Sequence, residues 1–289
     1  MKSSFLMLAS GMLMLLGLNA CNLNQVDSSQ AVYDEDLKEI DAYATTQKLN
    51  GKQTASGLYF VITKSVPSSK KPSLGEEVMF TYKLSLLNGT VVDSTAKPAF
   101  YPFGLGALLP GLEEGLSLMG EGETAILLLP SALAYGTQGN SKVPANSVIR
   151  FDVQLIRSRT EDQQIDDYIV EKGYKLTNKS TTGLRIIKTL ENPTGAALAT
   201  NQTVTVKYAG RTFRGSSDFD AGTLSMILGL RQVVSGFEEG VGQLRVGEKA
   251  TIIFPSSLGY GSQGRANNGV YVIPPYAPLV FDIEIVSAK

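Results

Sequence analysis

The chain is written twice. "PSALAYGTQG" at residues 130–139 returns as "PSSLGYGSQG" at 255–264, and the echo runs along most of the sequence. "DLKEIDAY" (36–43) answers to "DQQIDDY" (162–168), "ASGLYFVI" (55–62) to "TTGLRIIK" (181–188), and "EEVMFTYKLSLLNGTVVDS" (76–94) to "NQTVTVKYAGRTFRGSSDFDA" (201–221). Further on, "PGLEEGLSLMGEGETAILLLP" (110–130) matches "SGFEEGVGQLRVGEKATIIFP" (235–255), and "SVIRFDVQLI" (147–156) matches "PLVFDIEIV" (278–286). The offset stays near 125 residues and reaches 130 only beyond the Tyr-Gly pair. Such a period is far longer than a solenoid unit and is the size of a whole domain, so the 289 residues hold two copies of one fold. The border falls in the charged stretch "RSRTEDQQ" (157–164), which places one domain at 51–158 and a connector helix with a second domain at 159–289.

Strand signals dominate each copy. Val78, Phe80, Tyr82 and Leu84 alternate with Thr81, Lys83 and Ser85, and Val204, Val206 and Tyr208 alternate with Thr205 and Lys207. Ile149, Phe151, Val153 and Leu155 repeat the alternation near the end of the first copy; Leu279, Phe281, Ile283 and Ile285 do so in the second. Between these strands "GLEEGLSLM" and "GFEEGVGQL" each predict one short helix, with acids in the first turn where the helix dipole favours them. A short amphipathic helix on a bent antiparallel sheet is an α+β arrangement. The acidic segments carrying Leu37, Ile40 and Tyr43, and Ile165 and Tyr168, read as connector helices packed on their domains.

The first residues have another character. "MKSSFLMLASGMLMLLGLNAC" has one early lysine and an apolar stretch from Phe5 to Leu18, too short for a span of about twenty residues and suited to a secretory leader. "LNAC" resembles a bacterial lipobox, which predicts cleavage after residue 20 and lipid on Cys21. Cys21 is the only cysteine, so an exported chain can form no internal disulfide, and a thiol at a cleavage site has no other evident use. The expected location is therefore the bacterial cell envelope, anchored to a membrane by Cys21. "NLNQVDSSQ" would serve as a tether within a 21–50 tether-and-connector segment. No acidic cluster follows Cys21, which points to a periplasm-facing anchor, with surface exposure the other option.

Composition narrows the chemistry. A formal net charge of −1 supplies no counterion release on a nucleic-acid backbone, so no nucleic-acid partner is expected. The chain has no histidine, which removes the commonest general base and the commonest zinc ligand. "GLGALLPG" (104–111) lacks the strand–GxGxxG–helix spacing of a dinucleotide site, and the "EE" pairs at 113–114 and 238–239 sit at helix starts, where they serve the dipole better than acid–base work. Neither metal nor cofactor is expected. What remains is a repeated set of aromatic and aliphatic side chains, with an inward tyrosine and an aspartate in each copy. Any one of them reads as core; the ensemble, with phenols that need partners if buried, reads as a pocket.

In their order, Tyr82, "LLNGTVVDS", "LLPGLEEGL", "LLPSALAYG", "KVPANS" and "VIRFDVQLI" resemble the FKBP-type peptidyl-prolyl cis–trans isomerases. So do Tyr208, "SDFDA", "VVSGFEEGV", "IIFPSSLGYG", "VIPPYA" and "PLVFDIEIV" in the second copy. The resemblance covers residues 75–157 and 201–287 and implies two tandem FKBP-like domains, each a bent antiparallel sheet wrapped on one short helix. It implies that Tyr135 and Tyr260 donate a hydrogen bond to a substrate carbonyl, and that Tyr82 with Asp93, and Tyr208 with Asp220, form the polar end of each pocket. Leu112 and Phe237 would be the floors. Phe103, Leu108, Leu109, Val143 and Phe151 would line the first pocket, and Phe219, Met226, Val233, Val234, Ile273 and Phe281 the second. The first copy has Val92 and Leu112 where the family usually has rings, so the second is expected to be the better isomerase, although its loop after Asp220 is shorter and its loop from Gly261 to Ile273 longer. The implied partners are proline-containing unfolded or exported polypeptides. The competing expectation is a non-catalytic chaperone or adaptor holding apolar segments in the same clefts.

Overall fold

A computed structural model describes residues 23–289. Cys21 and the leader lie outside the described residues. Helix α1 (Leu23–Thr46) precedes strands β1 (Lys52–Gln53), β2 (Tyr59–Lys64), β3 (Glu77–Leu86), β4 (Val91–Ser94) and β5 (Ala99–Pro102). Then come α2 (Pro110–Leu118), β6 (Thr124–Leu129), a 3₁₀ turn (Ser131–Leu133) and β7 (Ile149–Arg159). The second copy has α3 (Glu161–Glu171), β8 (Asn178–Lys179), β9 (Arg185–Leu190), β10 (Thr203–Thr212) and β11 (Asp220–Ile227). It continues through α4 (Ser235–Gly242), β12 (Lys249–Phe254), a 3₁₀ turn (Ser256–Leu258), the hairpin β13 (Arg265–Asn267) and β14 (Val270–Ile273), and β15 (Leu279–Ala288). The segment expected as a tether is helical from Leu23 onward, so the connector is longer than the sequence implied.

Each copy forms its own antiparallel sheet. The first runs β1-β2-β6-β7-β3-β4 with β5 also on β3; the second runs β11-β10-β15-β12-β9-β8. The two differ at one edge. Residues 95–98, which include Pro98, separate β4 from β5, whereas the shorter second-copy segment lets β11 pair with β10 without a break from Gly210–Asp220 to Thr203–Ile227. The longer loop expected between Gly261 and Ile273 is ordered as the β13–β14 hairpin.

The apolar runs "AILLL" and "ATIIF" serve two faces of each sheet. Ala125, Leu127 and Leu129 join the main core beneath α2, while Leu128 turns outward to Ile40 and Ala44 of α1. In the second copy Ala250, Ile252 and Phe254 face α4, and Ile253 meets Ile165, Tyr168 and Ile169 of α3. The connector helices therefore cover part of the outer face of each sheet and bury a small apolar cluster there. The inner helices sit close because of glycine: a Cβ on Gly115 would lie 2.3 Å from Leu127 Cδ1, and one on Gly236 would lie 2.4 Å from Phe254 Cγ.

The two domains meet along a polar and aromatic seam. Glu77 of β3 accepts from Arg214 Nε at 2.8 Å and Nη2 at 3.1 Å and pairs with Arg159 of β7. The Arg214 guanidinium lies 3.9 Å from the Phe100 ring centroid. Arg157 and Arg159 in turn pair with Asp167 of α3 at 2.8 and 2.9 Å.

Candidate functional site

Strands β3, β4 and β7 set the polar end of the first pocket. Leu84 pairs with Asp93 on one side and Phe151 on the other, which brings Tyr82, two residues back on the same face, beside both. The Tyr82 hydroxyl donates to Asp93 Oδ2 at 2.7 Å, and its ring meets Phe151 edge-on at 5.6 Å. Burial, then the hydrogen bond to Asp93 and its charge, push the Tyr82 phenol well above its ordinary range. Burial and the Asp93 charge raise Tyr135 as well. Both phenols are therefore neutral donors at any physiological pH.

The resulting cleft has a volume of about 380 Å³ and is lined by Tyr82, Asp93, Leu108, Leu109, Leu112, Tyr135 and Phe151, all expected from sequence. Phe80, Leu84, Tyr101, Ala107 and Pro110 line it too and were missed. Two expected walls do not line this cleft: Phe103, just after β5, and Val143, in the segment before β7, are both buried in the core cluster. Tyr101 takes the place intended for Phe103. Alternation along β5 sends Tyr101 to the cleft, with its ring centroid 5.9 Å from that of Phe80, and sends Phe100 and Pro102 to the domain seam. Alternation in "AFYP" was the signal that could have found it. The ring deficit expected of the first copy is thus reduced by Phe80 and Tyr101.

In the second copy Tyr208 faces Asp220, and burial followed by the Asp220 charge and hydrogen bond raise its phenol. Tyr208, Phe219, Phe237 and Phe281 form one aromatic group, with Tyr208–Phe237, Phe219–Phe281 and Phe237–Phe281 centroids 5.8, 5.6 and 5.2 Å apart. Tyr260, Val233 and Val234 pack at the edge of the same core, and Met226 and Ile273 are buried within it. Room for the Phe219 ring comes from Gly210, which holds the register position of Leu84 opposite the aspartate and the phenylalanine. A Cβ there would stand 2.4 Å from Phe281 Cε1 and 2.9 Å from Phe219 Cζ. Val92 with Leu84 in one copy and Phe219 with Gly210 in the other are alternative fillings of the same space.

The acid pairs at the helix starts are occupied structurally. Glu113 accepts from the Gly104 amide at 2.7 Å and Glu114 from the Ser56 hydroxyl at 2.6 Å; Glu238 and Glu239 do the same for Gly229 and Thr182.

A bent sheet on one helix, with an apolar cleft edged by neutral phenols and an aspartate in the first copy, is a fold that this chain carries in duplicate. The chain belongs to the FKBP-type peptidyl-prolyl cis-trans isomerase family, whose match covers residues 68–156 and 195–286. It is similar to peptidyl-prolyl cis-trans isomerase FKBP9 of Rattus norvegicus, at 30% identity over 82% of this chain and 39% of that protein. It is also similar to FkpA of Aeromonas hydrophila, at 36% identity over 46% of this chain and 52% of that protein. The chain thus spans about two fifths to one half of the length of these relatives. Among solved structures it resembles the three FKBP domains of wheat FKBP73, with 20% identity, 83% of this chain and 99% of that one covered, and a TM-score of 0.41.

Proposed function

We propose that the protein is a peptidyl-prolyl cis–trans isomerase acting on exported polypeptides, held to the bacterial envelope by lipid on Cys21. The observation that carries the catalytic part is the open first-domain cleft, apolar on its walls and edged by Tyr82, Asp93 and Tyr135. Rotation about an X–Pro bond is opposed by amide resonance, a barrier of about 18–20 kcal/mol, and needs neither nucleophile nor metal. An apolar wall that takes the amide out of water disfavours its charge-separated planar form, and rings that hold the proline fix one side of the bond while the other turns. Tyr135 would donate to the substrate carbonyl, and Asp93 would orient Tyr82 by accepting the hydrogen bond from its hydroxyl. Tyr260, Tyr208 and Asp220 would do the same in the second domain.

The test is exchange spectroscopy on a short X-Pro peptide with the full chain and with Tyr135→Phe/Tyr260→Phe. Acceleration by the wild type and a loss of about tenfold in the double variant, corresponding to one hydrogen bond of about 1.4 kcal/mol, support the reading. No acceleration by the wild type overturns it.

A second reading, a holding chaperone, is favoured by the exposed Val270, Tyr271 and Val272 on the β13–β14 hairpin. Suppression of the aggregation of a proline-free client, lost in Val270→Ser/Tyr271→Ser and retained in the Tyr135→Phe/Tyr260→Phe chain, would support it.

A further inference from the structure

We infer that Asp36 and Glu161, one on each connector helix, are positioning residues that aim the rim tyrosines Tyr135 and Tyr260. This role presupposes the isomerase activity proposed above but concerns residues outside both segments of the family match, at 68–156 and 195–286.

Asp36 is buried, and its Oδ2 accepts from both the amide, at 2.8 Å, and the hydroxyl, at 2.6 Å, of Ser131. In the second copy Glu161 Oε2 accepts from the Ser256 amide at 2.5 Å and Oε1 from its hydroxyl at 2.7 Å. Acid and serine are 95 residues apart in both copies. Each serine opens a 3₁₀ turn, where its amide has no partner within the turn, and each is buried, so water cannot supply one. The carboxylate, carried on the connector helix, meets that need.

The serine then holds the tyrosine. Its carbonyl accepts from Ala134 and Gly136 at 2.9 and 2.8 Å in the first copy, and from Gly259 and Gly261 at 2.8 Å each in the second. Tyr135 and Tyr260 are the residues between those two anchors. The turns end alike, at φ −127°, ψ −112° for Ala134 and φ −124°, ψ −111° for Gly259. An aspartate and a glutamate thus reach the same atoms by different side-chain lengths. A selected contact, rather than incidental helix packing, accounts for this: packing alone asks only for the apolar residues Ile40 and Ile165. A donor displaced by a fraction of an ångström from a carbonyl loses most of its effect on a reacting bond.

The test compares the full chain with Asp36→Ala/Glu161→Ala and with Asp36→Asn/Glu161→Gln, which keep an acceptor for the serine amide. Ring resonances of Tyr135, Tyr260, Tyr82 and Tyr208 are followed by NMR on selectively labelled tyrosine, and kcat/KM by peptide exchange. The alanine pair should shift and broaden Tyr135 and Tyr260 while sparing Tyr82 and Tyr208, and lower kcat/KM about tenfold; the amide pair should restore most of both. Unmoved Tyr135 and Tyr260 rings in the alanine pair, or equal disturbance of all four, overturn the assignment. If the alanine pair does not fold, Ser131→Ala/Ser256→Ala decides by the same four resonances. If the wild type accelerates no exchange, the isomerase reading fails on that result, and the ring resonances still decide whether the acids position the tyrosines.

Discussion

Tyr101 offers a direct test of the first pocket, because it lines the cleft with part of its ring open to a ligand. Its residue is 37% exposed. An aromatic side chain of about 200 Å² would then present roughly 75 Å² to a ligand. At about 25 cal/mol per Å², full coverage by a proline ring would contribute up to ~1.9 kcal/mol, and coverage of three quarters ~1.4 kcal/mol, or a factor of about ten. Tyr101→Ala should therefore weaken binding of a short X-Pro peptide in the first domain by about tenfold. The cost in stability should be about 3 kcal/mol, since roughly 125 Å² of the side chain is buried, part of it against Phe80, so binding is measured where the variant is fully folded. Titration of the labelled full chain, reading Tyr135 for the first domain and Tyr260 for the second, measures each site in one experiment. The Tyr260 curve should be unchanged, and Tyr101→Phe should bind as the wild type does. Binding by Tyr101→Ala within twofold of wild type at the first site would refute the reasoning, because the ring would then not touch the ligand.

Two further outcomes follow from buried and seam charges. Glu123 and Glu248 are 125 residues apart and almost fully buried. Burial opposes their ionisation, but hydrogen bonds outweigh it and hold both below the usual carboxylate range: Gly120, Val66 and Ser65 donate to Glu123, and Lys188 and the Arg245 and Asn192 amides to Glu248. With the folded value depressed, their stabilisation is present above the unfolded glutamate range near ~4.3 and is lost as pH falls through the folded values. Glu248→Gln should therefore be less stable than wild type at pH 7 by denaturant unfolding, with the gap closing at low pH; a gap independent of pH would contradict the assignment. Arg214→Ala removes a half-exposed ion pair and a cation–π contact across the seam, so it should cost about 1 kcal/mol or less of unfolding stability. It should nonetheless let the domains tumble more independently in NMR relaxation, and identical correlation times in variant and wild type would show that the seam does not depend on it.

Much of the fold was legible because duplication supplies an internal control: the alternating strands, the inner helices and the Tyr-Gly turns all recur at the same offset. Tyr82, Asp93, Leu108, Leu109, Leu112, Tyr135 and Phe151 line one cleft, as the family resemblance implied; strand alternation by itself fixes only the face that Tyr82 and Phe151 share. Phe103 and Val143, which the resemblance implied as walls, are buried in the core cluster, because loop packing rather than strand alternation sets their burial. The exchange of Leu84 and Val92 for Gly210 and Phe219 could not be read from either copy alone, since it is a matter of shared volume between neighbouring strands.

By itself, the order of residues determined that there are two domains, that each has a sheet with one apolar inner face, and that its chemistry does without histidine. Those are properties of periodicity and composition, which local physics reads directly. Only the tertiary structure decided that Tyr101 completes the first cleft, that each connector helix packs on part of the outer sheet face, and that Asp36 and Glu161 reach serines 95 residues away. Contacts between distant segments depend on how far each strand bends and where each turn stops, and no local spacing encodes that.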